Sequence, residues 1–206
     1  MEILIDLHYL PSTLYFSLLA KADKVNIEKH ENFVKQTYRN RTHILTAQGI
    51  DVLSVPLLGS QKKISVSEIK IDHKQKWVNR HWRAIQSAYG KAPFFIHYAE
   101  LFENELNAGH TTLFELNYRL LTLCLKLLQL DVPVAFSKTY QKKPDSTIID
   151  LRSAVHPKRP FTFLPNPVFI PYQQVFGKRF VEGLGILDLL FSEGPNSETI
   201  IRGQIN

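Results

Sequence analysis

The sequence predicts a single α/β domain over residues 1–206, with a mixed, mostly parallel sheet and flanking helices. Two observations lead to this prediction. The chain opens with two short apolar segments separated by a short segment of helical periodicity, which is the pattern of two parallel strands joined by a crossover helix. The middle of the chain then carries helical patterns long enough to cover a sheet. The alternative is an α+β fold, because residues 42–71 have the alternation of antiparallel strands.

The opening strand–helix–strand unit follows from local signals. Ile3 to Leu7 is short and apolar, stops at Leu10-Pro11 and predicts a strand. Ser12 is a suitable N-cap for a helix over Leu14 to Ala20. Lys24 to Ile27 predicts the second strand.

The later elements are predicted from periodicity and turn residues. A turn at Gln48-Gly49 between apolar segments predicts a hairpin, and apolar residues at helical spacing predict three helices in the middle of the chain. The predicted elements are hairpin strands over 42–45 and 52–57, a strand over 64–71, helices over 74–89, 94–105 and 112–130, a strand over 132–136, an extended Pro-rich segment over 157–171 and a closing helix over 186–191.

Composition and charge restrict the class of protein. Hydrophobic residues make up 44% and charged residues 21%, which is ordinary globular usage and argues against long disorder. The net charge of +6 favours anionic partners such as nucleotides, nucleic acid or an anionic surface. The opening residues lack the basic segment of a signal peptide, and no apolar run has the length of a membrane span. We therefore expect a cytoplasmic protein.

Common catalytic signatures do not occur. The sequence has no Walker phosphate loop, no Gly-x-Gly-x-x-Gly and no Gly-x-Ser-x-Gly. Its single cysteine, Cys124, excludes an internal disulfide and falls in a Leu-rich helical pattern, which predicts a buried, inert thiol. The eight histidines are not paired at the spacing of helical metal ligands, so we predict no metal site and no particular cofactor.

A polar segment over residues 28–41 is the first candidate site. Lys35, Arg39 and Arg41 are suited to holding a phosphate or carboxylate, since Arg binds such groups bidentately. Histidine in general can accept a proton near neutral pH, so His30 is a candidate base, while Asn32 and Asn40 are candidates to orient a hydroxyl or amide. The alternative is a solvated loop with charges of both signs.

The predicted helix over 74–89 is the second candidate. Its aromatic and basic residues could stack a base and hold a phosphate. Trp77 and Trp82 at helical spacing are more often core residues. His81 lies on the same stripe and is either a core histidine or a proton carrier.

A third candidate lies after residue 149. Asp150 can pair with either Arg152 or His156, and a carboxylate beside a histidine raises the pKa of that histidine. The alternative is a surface loop held by a salt bridge.

Several segments together resemble the WbqC-like protein family. They occur in order over nearly the whole chain, and the most specific are Asn40-Arg41, His81-Trp82 and Asp188 with Gly194-Pro195. The matching segments are 9–11 with Tyr15-Phe16, Ala22-Asp23, 30–41, 53–56, 77–89 with 93–95, 150–158, 172–176 and 186–195.

The resemblance implies a role in surface-glycan synthesis. Family members are encoded among O-antigen and other surface-polysaccharide genes, with suggestions of acyl or aminoacyl transfer to an amino sugar. Longer members often open with Gln-Pro, where this chain has Asp6-Leu7, and carry a Gly- and aromatic-rich segment where this chain is Pro-rich.

We expect a transferase that acts on an activated, nucleotide-linked or lipid-linked sugar in surface-polysaccharide biosynthesis. In this reading Lys35, Arg39 and Arg41 hold the anionic substrate and His30 or His81 is the base. The alternative is a non-catalytic protein that binds the sugar or nucleotide, or that assembles glycan enzymes. A nucleic-acid partner is not expected.

Topology predicts where such a site lies. Parallel strands end at one edge of a sheet, so the residues after the first two strands should meet there. The predicted cleft is lined by Tyr9, His30, Asn32, Lys35, Asn40 and Arg41, with Arg39 at its mouth and with His81 and Asp150 in its wall.

Overall fold

A parallel sheet and six helices make up the computed structural model, which describes residues 1–59, 63–159 and 169–204. The strands are β1 (Glu2–Asp6), β2 (Lys24–Glu28), β3 (Arg41–Thr46), β4 (Gly49–Ser54), β5 (Val134–Phe136) and β6 (Ile148–Asp150). The helices are α1 (Thr13–Ala20), α2 (Trp77–Tyr89), α3 (Phe95–Asn107), α4 (Leu113–Leu127), α5 (Ile186–Glu193) and α6 (Ser197–Gly203), and short 3₁₀ turns cover His73–Gln75 and Gly194–Asn196.

The main sheet has the strand order β5-β2-β1-β6, and every pairing in it is parallel. Strands β3 and β4 form a separate antiparallel hairpin. The predicted α/β class with a mostly parallel sheet and flanking helices is therefore confirmed, as is the opening strand–helix–strand unit. Strand β6, which completes the sheet beside β1, was not predicted, because three residues are too few to show a period.

Residues 64–71 do not form the predicted strand. The amides of Glu68 and Ile69 both donate to the carbonyl of Ser65, which closes a turn in the middle of the segment. The alternation seen in the sequence instead reflects burial of Val66, Ile69 and Ile71 from an irregular segment. An irregular segment with buried side chains can thus show the same alternation of apolar residues as a strand.

The strands β1 and β2 alternate between an apolar and a polar face. Ile3 and Ile5 are fully buried in the main core together with Val25 and Ile27 of β2. The opposite face of these strands carries Glu2, Leu4, Lys24 and Asn26. Residues of the segment 137–144 lie against this face. The two faces of the sheet therefore have different chemistry.

The helices close the core as their periodicity predicts. Trp77, His81, Ile85 and Ala88 of α2 are buried. Cys124 of α4 is buried and free, and burial raises the pKa of its thiol far above the usual range. None of the helices in the described part of the chain has the length and apolar character that crossing a bilayer requires. The predicted Pro-rich excursion falls mostly on residues 160–168, which lie outside the described residues.

Candidate functional site

An ion cluster joins the carboxyl ends of β1 and β2. The guanidinium of Arg39 donates from Nε to Oε1 of Glu31 at 2.8 Å and from Nη2 to Oε2 at 2.9 Å. Its Nη1 lies 2.9 Å from Oδ2 of Asp6, the last residue of β1, as an ionic contact rather than an aligned hydrogen bond. Arg39 is fully buried, so the three side chains form one enclosed charged group.

Two further residues complete the cluster around Asp6. The backbone amide of Ser153 donates to Oδ1 of Asp6 at 2.8 Å, and Nη2 of Arg39 donates to Oγ of Ser153 at 3.2 Å. His8 approaches Oδ2 with its Nε2 at 3.0 Å. Ser153 has a φ of 57°, a left-handed conformation that costs free energy in a non-glycine residue. The segment after β6 is therefore bent so that its amide reaches the end of β1.

The charges of this cluster are unequal, since one guanidinium faces two carboxylates. Burial alone would raise the pKa of Asp6, but Arg39 and His8 outweigh it and hold that pKa well below its usual range. Burial raises the pKa of Glu31, and its bonds to Arg39 offset only part of this rise. The cluster as a whole thus favours the charged form of Asp6 more than that of Glu31.

A second ion cluster lies at the same edge of the sheet. Glu28, the last residue of β2, is fully buried and accepts hydrogen bonds from Oγ of Ser137 and the amide of His30, each at 2.7 Å. Arg152 contacts Glu28 at 3.3 Å and binds Asp150 through two nitrogens at 2.9 and 2.7 Å. Of the two pairings left open for Asp150, the structure contains the one with Arg152.

A basic cleft of about 480 Å³ lies beside these clusters. Its charged side chains are Lys35, Arg41 and Arg80, and none of the described residues that line it is Asp or Glu. Such a concentration of positive charge favours an anionic ligand. The cleft is lined by Phe33, Lys35, Gln36, Asn40, Arg41, Ser54, Val55, Pro56, Leu57, Gln75 and Arg80.

Two adjacent residues of the cleft carry buried polar atoms without a partner. Nδ2 of Asn40 donates to the carbonyl of Val55 at 2.9 Å, which fixes the amide orientation because a carbonyl can only accept. Oδ1 of Asn40 and Nε of Arg41 have no hydrogen-bond partner among the described residues. One unmet acceptor and one unmet donor therefore belong to neighbouring residues of the cleft wall.

The floor of the cleft is held from below by a buried pair. Nε2 of His81 lies 3.2 Å from the carbonyl of Ser54, and Nδ1 lies 2.9 Å from the hydroxyl of Tyr9. Since the carbonyl only accepts, Nε2 carries the proton and Nδ1 accepts from Tyr9. Burial lowers the pKa of His81 to about 4, although the bond to Ser54 opposes this change. His81 is therefore neutral at pH 7.

The structure divides the residues predicted for the cleft. Lys35, Asn40 and Arg41 line it together. Tyr9, which is fully buried, and His81, which is 2% exposed, lie under the floor of the cleft. Neither residue therefore forms part of the cleft surface. The expectation that Arg39 lies at the mouth is wrong, because its guanidinium points into the ion cluster with Asp6 and Glu31.

The remaining predicted residues do not line the cleft. His30 is exposed, with its Nε2 3.1 Å from the carbonyl of Ser137. Asn32 is also exposed and pairs through its backbone with Ser65. Asp150 belongs to the second ion cluster.

Sequence reasoning missed several residues of the site. Arg80 and Gln75 reach the cleft from α2 and the turn before it, far from Lys35 in the sequence. Asp6 and Glu28 did carry a signal, because each is an acidic residue at the last position of a strand with an apolar, buried face. A charge there rarely stays buried without a partner. Within residues 1–59, 63–159 and 169–204, no cluster of His, Cys, Asp and Glu has the composition of a metal site.

Comparisons with known proteins show the family. The family model described as "WbqC-like protein family" matches residues 7–163, which contain the described lining of the cleft and every residue of the two ion clusters except Asp6. The chain is also similar to the uncharacterized protein Rv1507c of Mycobacterium tuberculosis, with 27% identity over an alignment of 224 positions. That alignment covers 97% of this chain and 96% of the relative. No solved structure matches the chain.

Proposed function

This chain belongs to the WbqC-like protein family, and we propose that it is a transferase that binds an activated, phosphate-linked sugar in the basic cleft. Lys35, Arg41 and Arg80 would bind the phosphate or diphosphate of that substrate. The family resemblance supports a role in surface-polysaccharide synthesis, with acyl or aminoacyl transfer to an amino sugar as the reaction.

The basic lining of the cleft carries this proposal, because Lys35, Arg41 and Arg80 lie together with no Asp or Glu among the described lining residues. Two unmet polar atoms of the cleft wall indicate the kind of ligand. Nε of Arg41 needs an acceptor, which a phosphate oxygen supplies. Oδ1 of Asn40 needs a donor, and the ionised oxygens of a phosphate or diphosphate supply none. A sugar phosphate provides both, because its hydroxyls or amine stand next to its phosphate. Leaving either buried group unpaired costs about 1–3 kcal/mol, and a ligand with both groups would offset this cost once the two side chains turn towards it.

The reaction would be a direct transfer between two bound substrates. The only hydroxyl or thiol side chain among the described lining residues is that of Ser54, and the imidazole below the floor is neutral with both nitrogens engaged. The protein's contribution would be to hold the sugar phosphate and place its acceptor group. We assign to His30, which is exposed at the sheet edge, the role of accepting the proton lost by that group.

The same observations favour one other candidate, a non-catalytic protein that binds the activated sugar. The absence of Cys and His from the described lining residues supports it. In that case the cleft would bind the sugar phosphate in the same way, and no conversion would follow.

Calorimetric titration with nucleotide-diphosphate sugars and with inorganic pyrophosphate tests the binding step. We expect at least one sugar to bind more tightly than pyrophosphate, and Arg41→Ala to weaken it about tenfold or more. Asn40→Asp should weaken binding of that sugar more than Arg41→Ala does, because the substitution places a carboxylate beside the phosphate. Arg83→Ala is the matched control, because Arg83 is an exposed residue of α2 that does not line the cleft. Equal affinity for pyrophosphate and every sugar phosphate would contradict the role of Asn40.

Catalysis is tested separately on the sugar that binds. Incubation with an amino sugar and with acyl or aminoacyl donors should give a new product by mass spectrometry. Loss of that product in His30→Ala, with unchanged affinity in the titration, would assign His30 to the chemical step. Tight binding with no product would favour the non-catalytic candidate.

A further inference from the structure

The polar face of the main sheet carries a second cavity. Its volume is about 360 Å³, within the range of small-molecule sites. The strands supply its floor, and the irregular segment 137–144 covers it. All-parallel sheets normally have apolar side chains on both faces, so the polar face here is unusual. The floor consists of Glu2, Leu4, Lys24, Asn26, Glu28, Ala135 and Ile148.

The carboxylates of this cavity are already engaged. Glu2 accepts from Lys24 at 2.8 Å and from Asn26 at 2.7 Å. Glu28 accepts hydrogen bonds from the hydroxyl of Ser137 and from the backbone amide of His30, and its carboxylate also contacts Arg152. The cavity therefore differs from the basic cleft, in which the described cations face no lining carboxylate.

The groups left to contact a ligand are mostly neutral. Thr139 and Gln141 in the covering segment make no side-chain hydrogen bond within the described part of the chain, and Lys138 there has no ion pair. A hydroxyl and an amide both donate and accept, as the hydroxyls of a sugar require. Leu4, Ala135 and the other apolar lining residues, Ile148, Phe136 and Pro144, offer a surface for the C–H face of such a molecule.

We propose that this cavity is a binding site for a neutral sugar, of one or two units. Balanced charge on the floor gives an anion little gain over water, whereas the mixed donors and acceptors match a polyhydroxylated molecule. Its use as the acceptor site of the reaction rests on the proposed function, but sugar binding itself does not.

His30 lies between the two sites in the sequence. Glu28 lines the cavity and Phe33, five positions later, lines the basic cleft, so their Cα atoms are at most about 17 Å apart. His30 lies between them and contacts the carbonyl of Ser137 at the edge of the cavity. A base at this place would serve a hydroxyl or amine of a sugar bound in the cavity.

Saturation-transfer NMR with glucose, galactose, N-acetylglucosamine, N-acetylgalactosamine and rhamnose tests the site. We expect at least one sugar to bind, with an affinity that 0.5 M NaCl leaves unchanged because the ligand is uncharged. Ala135→Phe, which fills the cavity, should abolish binding. Gln141→Ala, at an exposed position that cannot disturb folding strongly, should weaken it about fivefold to tenfold. Circular dichroism establishes that both variants are folded.

The outcomes separate this proposal from the previous one. Arg41→Ala should leave binding of the neutral sugar unchanged, whereas it should weaken binding of the activated sugar. If none of the five sugars binds, or if both cavity variants bind as well as the unchanged protein, the second site is wrong whatever the cleft binds. Loss of neutral-sugar binding in Arg41→Ala would place the sugar in the basic cleft and overturn the second site as well.

Discussion

Arg39 contacts Asp6 at 2.9 Å across 33 residues of sequence, and this contact fixes the loop after β2 to the end of β1. The same guanidinium binds Glu31 bidentately within that loop. One buried cation therefore determines how the segment 31–41 leaves the sheet, and that segment supplies Lys35, Asn40 and Arg41 to the basic cleft. The position of the cleft depends on a residue that does not line it.

Removing this cation should be costly. Arg39→Met removes the guanidinium that the buried Asp6 and the partly buried Glu31 share, and we expect the free energy of unfolding to fall by about 3–5 kcal/mol. Arg202→Ala is the control, because Arg202 forms an exposed i,i+4 pair with Glu198 and should cost less than about 0.5 kcal/mol. Urea denaturation of both variants measures the difference. Equal losses would show that the cluster is not stabilising.

The neutral state of His81 predicts a pH dependence. Its pKa is about 4 in the folded protein and near 6.5 when unfolded, so the unfolded state binds the extra proton first. The stability that this residue contributes is complete above pH 6.5 and is lost as the pH falls towards 4, by about 3 kcal/mol at most. His81→Gln should remove this part of the loss, as measured by urea denaturation at pH 7.5 and 4.5. The same pH dependence in both proteins would contradict the assignment.

Gly185 lies where no side chain fits. A Cβ there would stand 2.2 Å from Oγ1 of Thr42 and close to two backbone oxygens. Gly185→Ala should therefore destabilise the protein by roughly 2–3 kcal/mol through overpacking. Gly109→Ala is a matched control, since Gly109 has a φ of +73° but open space around it, and strain alone should cost about 1 kcal/mol. Thermal unfolding should rank the two variants in this order.

The buried thiol predicts a simple chemical result. Cys124 is fully buried and burial raises its pKa, so the reactive thiolate is scarce in the folded protein. A thiol reagent such as dithionitrobenzoate should react with one group per chain in denaturant and far more slowly without it. Rapid reaction in native buffer would mean that α4 opens readily.

Two segments noted in the sequence, 172–176 and 186–195, lie beyond the residues that the family model matches and have structural explanations. Tyr172 donates to Oδ2 of Asp188 at 2.7 Å, and Gln174 donates to the same oxygen at 2.8 Å, so the segments 172–176 and 186–195 hold each other in place. Gly194 packs against the ring of Phe94, where a Cβ would come within 2.3 Å of a ring carbon. The residues of these motifs are specific because they contact one another in the folded protein. They need not touch a substrate.

The sequence by itself determined the α/β class, the opening strand–helix–strand unit and the buried stripes of α2 and α4, because periodicity and capping act over a few neighbouring residues. It also pointed to the segment 28–41. Only the tertiary structure decided that Arg39 is buried in an ion cluster while Arg41, two residues later, lines the cleft with Arg80. Both arginines have the same intrinsic chemistry, and their roles differ because Asp6 and Glu31 lie within reach of one and not of the other. Asp6 is 33 residues away from Arg39 in the sequence, and only the folded chain brings the two together.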